Sequence, residues 1–323
     1  MAASCPDNHC RALRGRVAVI TGANSGLGRA IVRYLVECDV HVIMACRDIP
    51  AAQAVRGEVL KSASPAAAVE IVPCDLASLY SVGEAAEQIA TRGQGVDLLV
   101  NNAGVMAVDA GLTEDGFETQ FGVNYLGHFA LTAGLLPLLR QRPEARIVMA
   151  ASNGHRLGRL DLKDPMFTAR RYNRWAAYFQ SKLALQLFTL ELSRRLAASS
   201  SGVTALSANP GAARTDLGWE GHSMSNVLNR FVSYTFPSTS HAIRPMLRAL
   251  TDPRAGQNDL FGPRLRVLGA PVRERPSRRA RDLATARRLW DLSIELTGRD
   301  PGLPACSAAV RDEDARPEER WPG

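Results

Sequence analysis

Apolar, often β-branched runs recur along the first two thirds of the chain: 17–21 "VAVIT", 40–45 "VHVIMA", 69–73 "VEIVP", 96–100 "VDLLV", 145–150 "ARIVMA" and 203–208 "VTALSA". Several are continuously apolar and not alternating, which is the pattern of a strand covered on both faces. Between them lie stretches with apolar residues at i, i+3 and i+4, such as Leu27–Val36, Val82–Ile89 and Phe121–Leu139, which predict helices. Strand and helix alternating at this pitch predict an α/β fold with a doubly wound parallel sheet. Right-handed crossovers then bring the C-terminal ends of the strands to one edge of that sheet.

No linker-like stretch divides the first 250 residues, so a single folded domain is expected over 15–298, after a flexible N-terminus at 1–14. The segment 216–240 is rich in glycine and serine and carries Phe231 and Phe236; it reads as an irregular insertion over one edge. Residues 279–297, with Leu283, Leu289, Trp290 and Leu296, predict one more helix. From 299 to 323 the composition turns polar and proline-rich, and a disordered tail is expected.

Composition changes this picture little. The 323 residues are 46% apolar and 22% charged, ordinary for a globular protein with a sizeable core. No run of about eighteen or more apolar residues is present, so no membrane span is expected. The opening residues, "MAASCPDNHCRALRGR", hold no apolar signal core. The six cysteines, Cys5, Cys10, Cys38, Cys46, Cys74 and Cys306, show no framework spacing, so reduced thiols and a cytoplasmic setting are the expectation. Cys5, His9 and Cys10 lack a fourth ligand at sensible spacing, and no metal is expected. The net charge of +7 comes almost wholly from arginine, with one cluster at 273–288. No aromatics interleave with that cluster, so it reads as a solvated surface and not as a nucleic-acid site.

The candidate chemistry begins at "TGANSGLG", residues 21–28, where the first strand hands over to the first helix of that set. Such a turn lets backbone approach a pyrophosphate, while the helix N-terminus supplies free N–H groups and the positive end of its dipole. Gly22, Gly26 and Gly28 serve the close approach; Thr21, Asn24 and Ser25 add small polar groups around Leu27. A tight turn that only packs helix on strand is the alternative. The second strand ends in "ACRD". An enzyme using NAD places an acidic residue there for the ribose 2′-hydroxyl. Cys46 holds that place and Arg47 follows, and a guanidinium suits a 2′-phosphate. NADP(H) is therefore expected in preference to NAD(H). In "YFQSK" the i, i+4 spacing puts Tyr178 and Lys182 on one face of a long helix. A phenol, with an ordinary pKa of about 10, becomes a usable acid/base when an ammonium stabilises the phenolate. Ser152 closes the fifth strand on the same sheet edge, where its hydroxyl can bond a substrate carbonyl. Asn124 is a polar residue inside an apolar helix, which calls for a partner or a purpose.

The ordered set "TGANSGLG", "ACRD", "CDLASL", "NNAGVM", "FGVNYLGHF", "AAS", "YFQSK" and "NPGAART" resembles the short-chain dehydrogenase/reductase family over roughly residues 15–250. Within it the chain is similar to the branch of retinol-dehydrogenase-like and WW-domain-oxidoreductase-like enzymes. The resemblance implies a Rossmann-type dinucleotide-binding catalytic domain. It implies that Tyr178 protonates the carbonyl oxygen, that Lys182 lowers its pKa and holds the nicotinamide ribose, that Ser152 orients the substrate oxygen, and that Asn124 holds a relay water. It further implies that Asp75 and Leu76 line the adenine pocket, that Asn102, Ala103 and Gly104 border the cofactor, and that Pro210, Gly211 and Thr215 meet the nicotinamide end. Two positions depart from the family pattern: Ala151 before the catalytic serine, and Cys38–Asp39 where a small residue or glycine is usual.

The function so implied is an NADP(H)-dependent oxidoreductase interconverting a small-molecule carbonyl and alcohol. Val227, Leu228, Phe231, Tyr234 and Phe236 of the substrate-loop region (about 216–245), with Met106 and His155 at the entrance, point to an apolar substrate. The alternative is a catalytically silent NADP-binding sensor or interaction protein. Family members often pair through the helices that would hold Asn124 and Tyr178, which leaves a homo-oligomer open.

Overall fold

Successive side chains of strand β1 (Val17–Thr21) go to opposite faces of the sheet: Val17 and Val19 join one core, Ala18 and Ile20 the other. A continuously apolar run is thus two interleaved stripes, each buried under its own layer of helices. The computed structural model describes residues 8–64, 67–211 and 239–305. The elements in order are α1 (Asn8–Leu13), β1, α2 (Gly26–Glu37), β2 (His41–Cys46), α3 (Ile49–Ser62), β3 (Val69–Pro73), α4 (Leu79–Ala90) and β4 (Leu98–Asn101). There follow α5 (Thr119–Leu139), β5 (Arg146–Ala150), α6 (Arg174–Ala198), β6 (Thr204–Ala208), α7 (Thr239–Ala242), α8 (Arg244–Thr251), β7 (Leu260–Pro263), β8 (Pro271–Glu274) and α9 (Leu283–Thr297).

These strands form one sheet in the order β3-β2-β1-β4-β5-β6-β7-β8, parallel throughout except for the antiparallel β7–β8 pair. The order reverses between β1 and β4, and the loops leaving those two strands diverge there. That switch point is where a doubly wound sheet opens a crevice at its C-terminal edge. The six strands read from the sequence are all present. β7 and β8 are not among them, because "LFGP" and "PVRE" are four residues each and proline-containing, too short for a period to register. Pro271 is tolerated because β8 is the edge strand.

Helix α5 is long and apolar enough to cross a bilayer by length and composition. Of that apolar window, 83% is buried inside the protein, so here it is a core helix. Helix α9 packs on α6, and Trp290 lies fully buried with ring centres 5.5 Å from Phe129 and 5.9 Å from Phe188. Beside it Arg195 stacks 4.5 Å over the Trp290 ring and pairs with buried Glu191 at 2.8 Å. Within one chain, therefore, α5 and α6 are already covered by the C-terminal helix.

The described residues nearest each end are packed against the core. Residues 8–13 form α1, whose Cys10 and Leu13 are buried against the α2 side of the sheet. Cys10 and Cys38 are joined by a disulfide, so the expectation of reduced thiols fails for this pair. α1 packs on α2, whose C-cap is Cys38, and that proximity is not visible in the spacing. Cys46 and Cys74 are free and buried; Cys5 and Cys306 lie outside the described residues. Asp39 takes the left-handed conformation, φ 56°, that a glycine would hold more easily. Its carboxylate is engaged there by Ser64 at 2.6 Å and Arg14 at 2.9 Å. At the other end Leu303 is buried and its carbonyl accepts from Arg195, so the expected tail is anchored at its start. Residues 306–323 lie outside the described residues.

Non-reducing peptide mapping should recover Cys10 and Cys38 in one cross-linked species, and reduction should lower the thermal midpoint. For a sequence separation of 28 residues, loop-closure entropy puts the loss at roughly 3–4 kcal/mol. Recovery of the two peptides unlinked, or an unchanged midpoint, would count against the bridge.

Candidate functional site

The glycine turn has steric reasons for its composition. Gly22 has φ +60°, and an added Cβ would stand 2.9 Å from Cα of Ala103. At Gly28 an added Cβ would collide with the Gly22 carbonyl and stand 2.7 Å from Asn102 Nδ2. The first position serves close approach of two loops; the second serves packing of α2 on its strand. Gly26 opens α2, with Leu27 half-buried behind it. Ser25 is the exposed N-cap and makes no side-chain capping bond. The first-turn N–H groups of α2 and the Ser25 hydroxyl are therefore donors suited to an anion.

Around this turn the structure gathers the other expected cofactor residues at the same sheet edge. Asn102 donates from Nδ2 to the Thr21 carbonyl at 3.0 Å, tying the loop after β4 to the end of β1. Asp75 and Leu76 follow β3; Asp75 Oδ1 accepts the Ala77 N–H and Leu76 is buried. Cys46 is buried, and burial pushes its thiol up to about 11. The end of β2 thus carries a neutral thiol and no acidic residue. Arg47 is exposed and has no hydrogen bond or ion pair among the described residues.

Ser152, Tyr178 and Lys182 come together at the ends of β5 and α6. Ser152 caps a short turn by accepting the Gly154 N–H at 3.1 Å. Tyr178 is buried; burial raises its pKa and the Ser152 hydroxyl opposes that rise. Lys182, 6% exposed, donates to the Ala150 carbonyl at 3.0 Å and lies 6.0 Å from the centre of the Tyr178 ring. Burial brings its ammonium down to about 8. Burial is the larger influence on the phenol, and the ammonium of Lys182 is engaged by the Ala150 carbonyl.

Asn124 sits in a π turn, Gly122–Leu126, within α5. Its Oδ1 accepts the Val105 N–H at 2.8 Å, and its Nδ2 donates to the Val105 carbonyl and to Ser181 Oγ, each at 2.9 Å. Both amide hydrogens are occupied in joining the loop after β4 to α6. Gly104 lies between these groups: an added Cβ would stand 2.9 Å from Asn124 Oδ1 and 3.7 Å from Lys182 Nζ.

Two site residues were misread or missed in the sequence. His155, expected at the entrance, is fully buried behind Ser152; its Nδ1 lies 2.6 Å from the Ser152 carbonyl and its Nε2 accepts the Ser277 N–H at 3.3 Å. His128 is also buried, with Nε2 2.9 Å from Thr21 Oγ1 and Nδ1 2.9 Å from the Asn124 carbonyl. Burial pulls both imidazoles down to about 4, so both are neutral. The only signal for His128 was a histidine among apolar residues, which a core position explains equally well.

The mouth of the site includes the β7–β8 connection, which the sequence did not anticipate. Asn153, next to Ser152, donates to the Arg266 carbonyl at 2.5 Å, and Gly211 (φ +73°) packs against the Val267 carbonyl. Pro210 stands beside it, half-buried. Leu265, Val267 and Leu268 of this connection are exposed, Leu265 by 73%. Met106 is half-buried in the loop after β4. Thr215 and the residues Val227, Leu228, Phe231, Tyr234 and Phe236 lie outside the described residues.

The profile of the short chain dehydrogenase family matches residues 16–226. Retinol dehydrogenase 13 of Mus musculus is 39% identical over 306 residues, covering 91% of this chain and 87% of its own length. Polyprenol dehydrogenase of Mus musculus is 37% identical over 293 residues, with 89% and 85% covered. The crystal structure of an uncharacterized protein from Mycobacterium Paratuberculosis, 40% identical, superposes with a TM-score of 0.74 and covers 93% of this chain and 98% of its own.

The two neutral histidines set a pH dependence. Their ordinary value is 6.5 and their folded value about 4. As pH falls through that window the unfolded chain takes up protons that the folded chain refuses. Their contribution is complete above 6.5 and is lost toward 4, at up to about 1.4 kcal/mol per pH unit for each. Urea midpoints should fall over this range, less steeply in a His155→Gln variant. A profile with no slope above about pH 5 would contradict the burial of neutral rings.

Proposed function

The chain belongs to the short-chain dehydrogenase family, in its retinol-dehydrogenase-like branch, and from that premise we propose that it interconverts a carbonyl and an alcohol on an apolar substrate with NADP(H). The observation that carries the proposal is the gathering of Ser152, buried Tyr178 and, one helical turn on, buried Lys182 at the sheet edge that also carries the glycine turn.

The nicotinamide, when bound, supplies or takes up the hydride. In the reducing direction Tyr178 gives its phenolic proton to the carbonyl oxygen, and in the oxidising direction takes it back. Ser152 holds the same oxygen by its hydroxyl. Lys182, largely cationic at neutral pH, stabilises the phenolate that remains, and its charge acts strongly because the site is dry. Asn124 fixes α5 to α6 and keeps these groups in register.

Preference for NADP(H) is supported by exposed Arg47, without a hydrogen bond or ion pair among the described residues, and by neutral Cys46 in the place of a ribose-binding acid. An apolar substrate is supported by exposed Leu265, Val267 and Leu268 beside Asn153. Retinol and polyprenols, the alcohols in the names of two relatives, are themselves apolar.

Replacing Tyr178 with Phe should lower turnover of a ketone or aldehyde by about a hundredfold or more, with cofactor binding kept. A Tyr178→Phe variant as fast as the parent would overturn the acid/base assignment. In fluorescence titrations, Arg47→Ala should weaken NADPH binding by roughly ten- to a hundredfold and NADH binding far less. Equal affinities of the parent for the two cofactors would remove the basis for the NADP(H) preference.

A further inference from the structure

We infer that His128 is a positioning residue that couples the dinucleotide turn to the catalytic helix through one directed chain of hydrogen bonds running from Thr21 to Asn124. The inference rests on the oxidoreductase reading above and adds to it a residue that touches neither substrate nor reacting atoms.

The direction of the chain follows from counting hydrogens. The Thr21 hydroxyl has one hydrogen and two lone pairs. Its oxygen accepts the N–H groups of Asn102 at 2.9 Å and Ala103 at 3.0 Å, which occupies the lone pairs. The one hydrogen then goes to His128 Nε2 at 2.9 Å, nearer than the Val100 carbonyl at 3.4 Å. With Nε2 accepting, the hydrogen of the neutral ring is on Nδ1, 2.9 Å from the Asn124 carbonyl, a group that can only accept. Both ends of the ring require the same tautomer, and neither nitrogen is left without a partner.

What lies at the two ends gives the chain its consequence. Thr21 ends β1, and its hydroxyl holds the loop after β4 against the glycine turn. Asn124 belongs to the π turn of α5, where the helical ladder is displaced and Gly127 N–H bonds Gly122. From Asn124 the chain continues through its Nδ2 to Ser181 Oγ at 2.9 Å, and Ser181 donates to the Tyr178 carbonyl at 2.8 Å. The backbone of the acid/base is thereby joined to the cofactor turn by buried bonds in a continuous line. Substitution at His128 breaks that line at a point remote from the reacting atoms.

The two ring nitrogens can be replaced separately. Gln at this position sets an amide near the place of Nε2, keeping a partner for Thr21 and releasing Asn124. Asn sets an amide near the place of Nδ1, keeping Asn124 and releasing Thr21. His128→Asn should lose mainly NADPH affinity, and His128→Gln mainly kcat at saturating NADPH, each by about tenfold or more. Loss of both quantities alike in both variants, or of neither, overturns the inference. A second measurement needs no variant: long-range nitrogen–proton NMR of the parent at neutral pH should show His128 with its hydrogen on Nδ1. A hydrogen on Nε2 reverses the chain and overturns it as well. A parent that binds no nicotinamide cofactor refutes the oxidoreductase reading and this inference with it; a parent that turns over, with variants that match it, refutes the His128 assignment alone.

Discussion

A parallel sheet buried on both faces can present its chemistry only where its strands end. Eight strands lie under helices on each side of this sheet, and their side chains fill two separate cores. The loops that leave the C-terminal ends of the parallel strands are the sites where polar groups, glycines and helix N-termini can meet. Thr21, Asp75, Asn102, Ser152 and Pro210 all follow from this, since each stands at or just after the end of a strand. The reversal of strand order between β1 and β4 opens the crevice at which they converge.

The same burial dictates how the polar groups are held. Tyr178 and Lys182 are nearly out of contact with solvent, so their protonation is set first by desolvation, which Ser152 opposes at Tyr178, while the Lys182 ammonium donates to the Ala150 carbonyl. A buried polar atom without a partner is costly, and the fold answers by linking such atoms into lines. The bonds from Asn124 to Val105 and Ser181, and those of the two buried histidines, are of this kind. They tie the loop after β4 to α5 and α6, and the turn after β5 to the segment before α9.

The periphery closes the molecule by different means. α9 seals α5 and α6 with Trp290 and a buried ion pair beneath it, while a disulfide ties α1 to the end of α2. Glu191, fully buried, is neutralised by Arg194 and Arg195 from the next turn of its own helix. That arrangement needs the aromatic cap of α9 above it, since an uncovered pair would be screened by water and worth little.

The sequence by itself determined six of the sheet's eight strands and the candidate chemistry. Apolar runs with the right separation specify strands whatever surrounds them, and all six so read from "VAVIT" to "VTALSA" are present. Gly22, Gly28, Ser152, Tyr178, Lys182 and Asn124 were legible because their types are unusual at their positions and their order along the chain is informative. Only the tertiary structure decided the rest. β7 and β8 owe their existence to a neighbouring strand edge and not to any period of their own. Cys10 meets Cys38, and His128 meets Thr21, across separations that no local pattern encodes. The pKa of Tyr178 follows burial more than its spacing from Lys182, because desolvation depends on everything packed around a group and a sequence shows only what lies beside it along the chain.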